Sequence, residues 1–362
     1  MELSDNELVT LLLCSDIALN ESGLYPLTDA AYSCFAKALF KSNLEPANLF
    51  SMSENSIYDL VNQNKELFSK LKNKDFETRI PALLKRHTQL YIQLSKLQNE
   101  GVRVVTRANK ELYPSKLRNK FSKSSFALPS VIYYSGNIQN IDNIDFLGVV
   151  GSRNIDDDSE SVSFTNKLVE LAVENNYGIS SGGAKGIDTI SQVQADKNGG
   201  FTVISVSDSL TKKINIKEVR ESIMDGRSVY LSLSSPHSRF SGINAMNRNK
   251  LIYGCSNYTA VITCSYQTKT VRGKTVIDMN KGGTWVGAHE CVKNELSKLL
   301  VRSNGEYTSP GNDELIKTVK CIEIKQSDLL CAKDFESLLN SKSEKEIPVY
   351  KTPVQTELNF GL

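Results

Sequence analysis

FLGVVGSR (Phe146–Arg153) and YGISSGGAKGIDTISQVQADKNGGFTVISVS (Tyr177–Ser207) decide the fold. FLGVV is a short apolar run without polar alternation, the pattern of a strand buried on both faces, and it runs into a Gly-Ser-Arg turn. Phe164, Leu168, Leu171, Ala172 and Val173 then recur at three-to-four spacing, which reads as one face of a helix. YGISSGG is a second strand entering a glycine turn, and KGIDTISQVQADKNG is a second helix, ended by Gly199 and Gly200. FTVISVS supplies a third strand. Strands alternating with helices imply parallel β-α-β units, so the expected fold class is α/β, a doubly wound, mostly parallel sheet.

The same texture continues outward. VRVVT after Gly101, PSVIYYSG closed by Gly136, SVYLSLS and YTAVITC read as further strands. Between the last two lie Pro236, Phe240 and a helix-like segment, Gly242–Gly254. Val271, Val276 and Ile277 around Gly273 suggest a small hairpin that brings Lys269, Arg272, Lys274 and Lys281 near the strand ends. Residues 1–100 read as an N-terminal helical domain. Leu8, Val9, Leu11, Leu12 and Leu13 start an apolar face, Ala31, Cys34, Phe35, Ala38, Leu39 and Phe40 continue it, and one long helix is expected from Ile80 to Asn99. That domain lacks a GxG hairpin signature and reads as scaffold. The expected organisation is a helical domain over 1–100, the α/β domain over 101–330 and a charged tail over 331–362.

Composition narrows the function classes. Of 362 residues 40% are apolar and 23% charged, an ordinary globular balance, and the formal net charge is +2, which argues against broad phosphate binding but leaves room for a local basic groove. The seven cysteines are scattered without a CxxC pair, so neither a disulfide framework nor a zinc ribbon is expected. Three histidines without paired cysteines make a catalytic metal site an unfavoured reading. The N-terminus lacks a signal-peptide pattern and no run is long and apolar enough to span a membrane, so the expected location is the cytoplasm, with no membrane partner and no cofactor.

Ligands of open parallel sheets bind outside the carboxyl ends of the strands. Three loops there carry phosphate-binding residue types: Gly151, Ser152 and Arg153; Ser181, Gly182, Gly183, Lys185 and Gly186; Gly283 and Thr284. Glycines let a phosphate approach the backbone, helix N-termini present free N–H groups, and hydroxyls and cations complete the shell. The alternative for each loop is a tight β-to-α turn, since none is GxGxxG or a P-loop. Arg248, Asn249 and Lys250 form a fourth candidate, two cations flanking an amide. Tyr253, Tyr258, Trp285 and Phe240 lie near enough to serve as stacking rings, or to be core.

VVGSR, SSGGAKGID, LSSP…F…NRNKLIYGCS and GGTWVGA follow the order of the DNA-processing (DprA/Smf) family, whose patterns look like VGSR, SGxAxGID and LSExP…F…RNRxIxxLS. ELYPSKLRN…LPSVIYYSGNI upstream and GNDELIKTVKCIEI downstream are also similar to it. The resemblance covers about Asn99 to Ile324 and implies a Rossmann-like domain that binds single-stranded DNA in a basic pocket, forms a homodimer and delivers the strand to a RecA-type recombinase. It places Arg153, Lys185, Arg248 and Lys250 as phosphate-neutralising cations, while Asp188 orients the GID helix. The sequence departs from the pattern at Ser191, where the family often has His, at Ser235 in LSExP, and in the extra stretch between Cys264 and Gly282. GGTWVGAHE also resembles faintly the GGxGTxxE loop of the phosphoribohydrolase (LOG-type) branch, which makes Glu290 an alternative catalytic carboxylate in a nucleotide sensor or nucleoside-phosphate hydrolase. His289 is a weak general-base candidate. In the tail, QTELNF resembles sliding-clamp-binding peptides through Gln355, Leu358 and Phe360.

Overall fold

The computed structural model describes residues 3–19, 23–72, 75–155, 159–271, 274–279, 281–303 and 309–344, and absences below are stated for these residues. The strands are β1 (Arg103–Thr106), β2 (Val131–Ser135), β3 (Phe146–Val150), β4 (Gly178–Ser181), β5 (Thr202–Val206), β6 (Ser228–Ser232), β7 (Tyr258–Val261), β8 (Thr268–Val271), β9 (Lys274–Ile277), β10 (Lys298–Arg302) and β11 (Ile322–Ile324). Nine of them build one sheet in the order β1-β2-β6-β5-β4-β3-β7-β10-β11. From β6 to β11 every neighbouring pair is parallel. β2 runs antiparallel to both β1 and β6. The doubly wound, mostly parallel α/β sheet expected from the strand–helix alternation is therefore the observed one.

Side-chain alternation along the strands splits the core into two layers. Leu147 and Val149 join one apolar cluster with Phe164, Leu168 and Ala172 of the helix Ser159–Glu174. Phe146 and Val150 point to the opposite face and join Leu251 and Ile252 of the helix Gly242–Cys255, and Trp285 and Cys291 of the helix Gly283–Lys293. Helices on both faces explain why FLGVV carries no polar position.

Strand order runs from β3 through β4 and β5 to β6 in one direction, then the chain crosses to β7, β10 and β11 on the other side. The order reverses between β3 and β7, so their crossover helices leave on opposite faces and a crevice opens at the carboxyl ends.

The N-terminal helices pack on the β1 end of this sheet. The first, Asp5–Cys14, starts at a capping box in which Ser4 and Glu7 bond each other's backbone amides. It is buried on two sides: Val9 and Leu13 enter the helical core, while Leu8, Leu11 and Leu12 pack with Val104, Tyr133, Ile204 and Tyr230 of the sheet. The single helix expected over Ile80–Asn99 is instead two, Phe76–Leu84 and His87–Asn99. Arg86 at the break is buried and donates to the carbonyls of Leu12, Ser15 and Ile17, and this long-range set of charge-assisted bonds outweighs continuous helical periodicity. The hairpin expected around Gly273 is present as the antiparallel pair β8–β9.

Candidate functional site

A pocket of about 750 Å³ occupies the crevice where the strand order reverses. Gly151, Ser152 and Arg153 follow β3 and form one wall, Ala184 and Asp188 follow β4, and Gly282, Gly283 and Thr284 open the helix Gly283–Lys293 opposite. The first turns of the helix Gly242–Cys255 complete it with Ile243, Met246, Arg248 and Asn249, preceded by Phe240.

Glycine makes the close approaches possible. Gly186 sits at φ +81°, and a Cβ there would lie 2.3 Å from the carbonyl oxygen of Ser152. Its absence lets the Ile187 amide reach that oxygen at 3.2 Å, which ties the GID helix to the GSR loop. The Ser152 amide in turn donates to Thr263 Oγ1 at 2.7 Å, linking the loops that follow β3 and β7. Gly182 leaves the space that the Arg248 guanidinium fills; a Cβ there would lie 1.0 Å from Nη1.

The floor is an ion pair. Arg248 and Asp188 are both nearly inaccessible, with Arg248 Nη2 3.3 Å from Asp188 Oδ2. The Ala184 amide also donates to Oδ2, at 3.4 Å. Burial pushes the Asp188 carboxyl up, and the Arg248 charge and the Ala184 amide pull against that. Asp188, expected to orient the start of the GID helix, holds the Ala184 amide and the Arg248 guanidinium there. Arg248, expected to neutralise phosphate, lines the pocket with its guanidinium paired to Asp188 beneath the surface.

Free positive charge lies at the rim. Arg153 is exposed and its guanidinium stands 4.9 Å from the centroid of the Phe240 ring, itself 52% exposed. Lys185 is exposed on the neighbouring loop, outside the pocket lining. Lys213 points at the same loop, with Nζ 3.4 Å from the Gly183 carbonyl. Asn249 donates to the Gly283 carbonyl at 3.3 Å and so holds the third loop.

The remaining candidates divide plainly. Gly151, Ser152, Arg153, Arg248, Asn249, Gly283 and Thr284 line one pocket. Ser181 does not: its hydroxyl is buried and donates to the Val149 carbonyl at 3.0 Å, stitching β4 to β3. Lys250 turns away, its ammonium lying 4.5 Å from the Phe126 ring centroid and 3.2 Å from Asn247 Oδ1. Glu290 lies two turns into its helix, outside the lining, where burial raises its carboxyl against the pull of Lys250 and Lys293. His289 bonds the Trp285 carbonyl through Nδ1 at 3.0 Å, and burial lowers its pKa. Trp285 and Tyr253 are core, and Tyr258 packs with Tyr177 and Phe335, so Phe240 alone of the four named rings stands exposed at the rim. No group of three or more potential ligands able to hold a metal occurs among the described residues. None of their helices is long and apolar enough to cross a membrane. Gln355, Leu358 and Phe360 lie outside the described residues.

Sequence reasoning missed Lys213 and the apolar wall of Ile243 and Met246. Lys213 lies in a stretch with no family pattern, and only the sheet order carries it to the glycine loop. Ile243 is more than half exposed in the first turn of its helix, and its exposure is visible only in the fold.

Residues 103–272 match the family model described as DNA recombination-mediator protein A. No curated protein sequence matches the chain. Among solved structures, the DNA processing protein A of Streptococcus pneumoniae is similar at a TM-score of 0.60 and 18% identity, over 95% of this chain and 99% of that one, which shows a shared fold. A DNA processing protein A from Helicobacter pylori, described by its single-stranded DNA binding mode, aligns at 0.48 and 19% identity over 67% of this chain and 97% of its own. A molybdenum cofactor carrier protein of Chlamydomonas reinhardtii aligns at 0.32 and 13% identity, over 55% of this chain and 95% of its own.

Proposed function

We propose that this chain, whose residues 103–272 match the model of the DNA recombination-mediator protein A family, binds single-stranded DNA in the pocket at the β3–β7 crossover as a non-catalytic DNA-processing and recombination-mediator protein. One observation carries the reading: an exposed arginine stacked on an exposed aromatic ring at the mouth of a pocket whose deeper charge is neutralised internally. A strand needs a cation for its phosphates and a flat ring for its unstacked bases, and Arg153 with Phe240 offers both at one place. Gly151, Gly283 and Thr284 let the sugar–phosphate backbone come close to main-chain amides. Lys185 and Lys213 extend the positive rim along the β4 loop. The hydrolase reading needs Glu290 in the pocket facing a ribose, and Glu290 is outside the lining. Homodimerisation, transfer of the strand to a RecA-type recombinase, a cytoplasmic location and clamp docking through Gln355, Leu358 and Phe360 belong to the same proposal.

The test is a salt titration of the full chain against labelled single-stranded DNA, duplex DNA and a mononucleotide. The expected result is preference for the single strand, with Arg153→Ala lowering the log–log salt slope by about 0.7 and Phe240→Ala weakening binding about tenfold. Saturable mononucleotide binding without polymer binding would overturn the proposal in favour of a nucleotide sensor. Truncation before Gln355 leaves DNA binding intact in this reading.

A further inference from the structure

β1 is the last strand on its side of the sheet, and among the described residues no strand pairs with its outer edge. Two apolar layers therefore meet around that edge. Val102 and Val104 belong to the layer shared with the N-terminal helices, and Tyr134 belongs to the layer on the other face. The layers do not close on each other. A cavity of about 440 Å³ stays open between them, with Val102, Val104 and Tyr134 buried along its floor and Leu3, Leu94 and Leu112 half-buried along its walls. β1 stands five places from β3 in the sheet, about 24 Å across. The cavity shares no lining residue with the crevice at the β3–β7 crossover.

Arg103 is the one charged residue in the lining. It is exposed at the mouth and lies directly across the ladder from Tyr134. Burial raises the pKa of the Tyr134 hydroxyl and Arg103 pulls against that, which sets the guanidinium beside the phenol. Arg103 forms no ion pair among the described residues, and Glu100, the carboxylate nearest to it in sequence, pairs with His237 instead. Ser95 and Gln98, one turn apart on the helix His87–Asn99, add an uncharged hydroxyl and amide to the rim. Apolar walls with a few placed polar groups are the make-up of a small-molecule site. One guanidinium matches one carboxylate through two parallel hydrogen bonds, whereas a phosphate dianion leaves a charge unmatched. Val102 and Val104 are only 2% and 3% exposed, so the outer edge of β1 is too sheltered to pair with an incoming strand, and the occupant is a slim molecule that passes the rim.

We infer that the cavity at the β1 edge is a binding site for a small amphipathic carboxylate, its apolar body against Leu3, Leu94 and Leu112 and its head on Arg103. The site is independent of the single-strand reading. Leu3 and Leu94 come from the N-terminal region and Val102 and Val104 from the approach to β1 and from β1 itself, so a bound carboxylate ties the helices to the sheet.

The experiment titrates the full chain by calorimetry with decanoate, decanol and octanoate, each below its micelle concentration. Decanoate is expected to saturate a single site. Decanol, which lacks the charge, is expected to bind about tenfold more weakly, and octanoate, shorter by two methylenes, about fifteenfold more weakly. Arg103→Gln, at an exposed position, is expected to keep the fold and bring decanoate down to the level of decanol. Leu94→Glu sets a like charge on the wall and is expected to abolish decanoate binding. Equal affinity of the parent for decanoate and decanol overturns the carboxylate assignment. Absence of saturable decanoate binding, or unaltered binding in both variants, overturns the site. A fall in oligomer size in Leu94→Glu, with no decanoate binding to the parent, gives the cavity to a second copy of the chain instead. Arg153→Ala is expected to leave decanoate binding unchanged while weakening single-strand binding, so failure of one reading leaves the other standing.

Discussion

Arg248 and Lys250 stand two positions apart on one helix, which sets them about 200° apart around its axis. They cannot serve the same pocket, and the structure gives Arg248 to the floor and Lys250 to Phe126. That exclusion was available in the spacing, whereas the partner of Arg248 was not, because Asp188 lies 60 residues earlier and meets it only through the sheet. Gly182 is the residue on which the pair depends. Gly182→Ala displaces the guanidinium and leaves the Asp188 carboxylate buried without its counter-charge, which costs about 3–5 kcal/mol. The expected outcome in urea titration is a lower midpoint at unchanged slope, corresponding to that loss of unfolding free energy, and a loss below about 1 kcal/mol would mean that Arg248 has another place to go. Ser181 shows the limit of motif reading in the other direction. Its place in SGxAxGID is compatible with a phosphate ligand, but strand alternation turns the hydroxyl toward the Val149 carbonyl.

The elements around the site were legible wherever a local signal stood for them. Apolar runs ending in glycine marked β3 and β4. What stayed hidden were elements set by distant partners, such as the break at Arg86, whose carbonyl acceptors come from the segment around the end of the first helix. Another distant partner holds the helix Gly242–Cys255, which carries the pocket wall. Lys120, from the helix Ser115–Lys123, donates to the Ser256 carbonyl at its C-terminus. A cation suits that end of the helix, yet burial lowers Lys120 from 10.5 to about 8. Between those values the unfolded chain binds more protons at this site than the folded one, so the contribution of Lys120 to stability rises with pH across the window. Below about 8 the full cost of charging the buried amine is present. Lys120→Met removes that dependence. Urea midpoints of the two proteins at pH 7 and pH 10 are expected to shift, so that the variant gains relative to the parent at pH 7 and loses that gain at pH 10. A difference constant with pH would show that the ammonium is solvated.

At the scale of the whole molecule, the N-terminal helices are part of the sheet's structure. Leu8, Leu11 and Leu12 share one apolar cluster with Val104, Tyr133, Ile204, Val206 and Tyr230, so removing the helices bares strands on the β1 side of the sheet. Leu12→Ala is expected to cost about 2–5 kcal/mol, with the helical and sheet signals melting together. Two separated transitions would instead mean that residues 1–100 unfold on their own. The sequence showed two textures meeting near Gly101, and the shared core was hidden because Leu8, Leu11 and Leu12 look like any other helical apolar face. The antiparallel seat of β2 between β1 and β6 carries a consequence for the order in which the protein is made. β2 leaves the ribosome with β1 but meets β6 only about ninety residues later, on the order of ten seconds of synthesis. For that interval the newborn β1–β2 ribbon is open along β2 as well as along β1, and the leucines of the first helix, already translated, are on hand to cover its apolar face until β6 arrives.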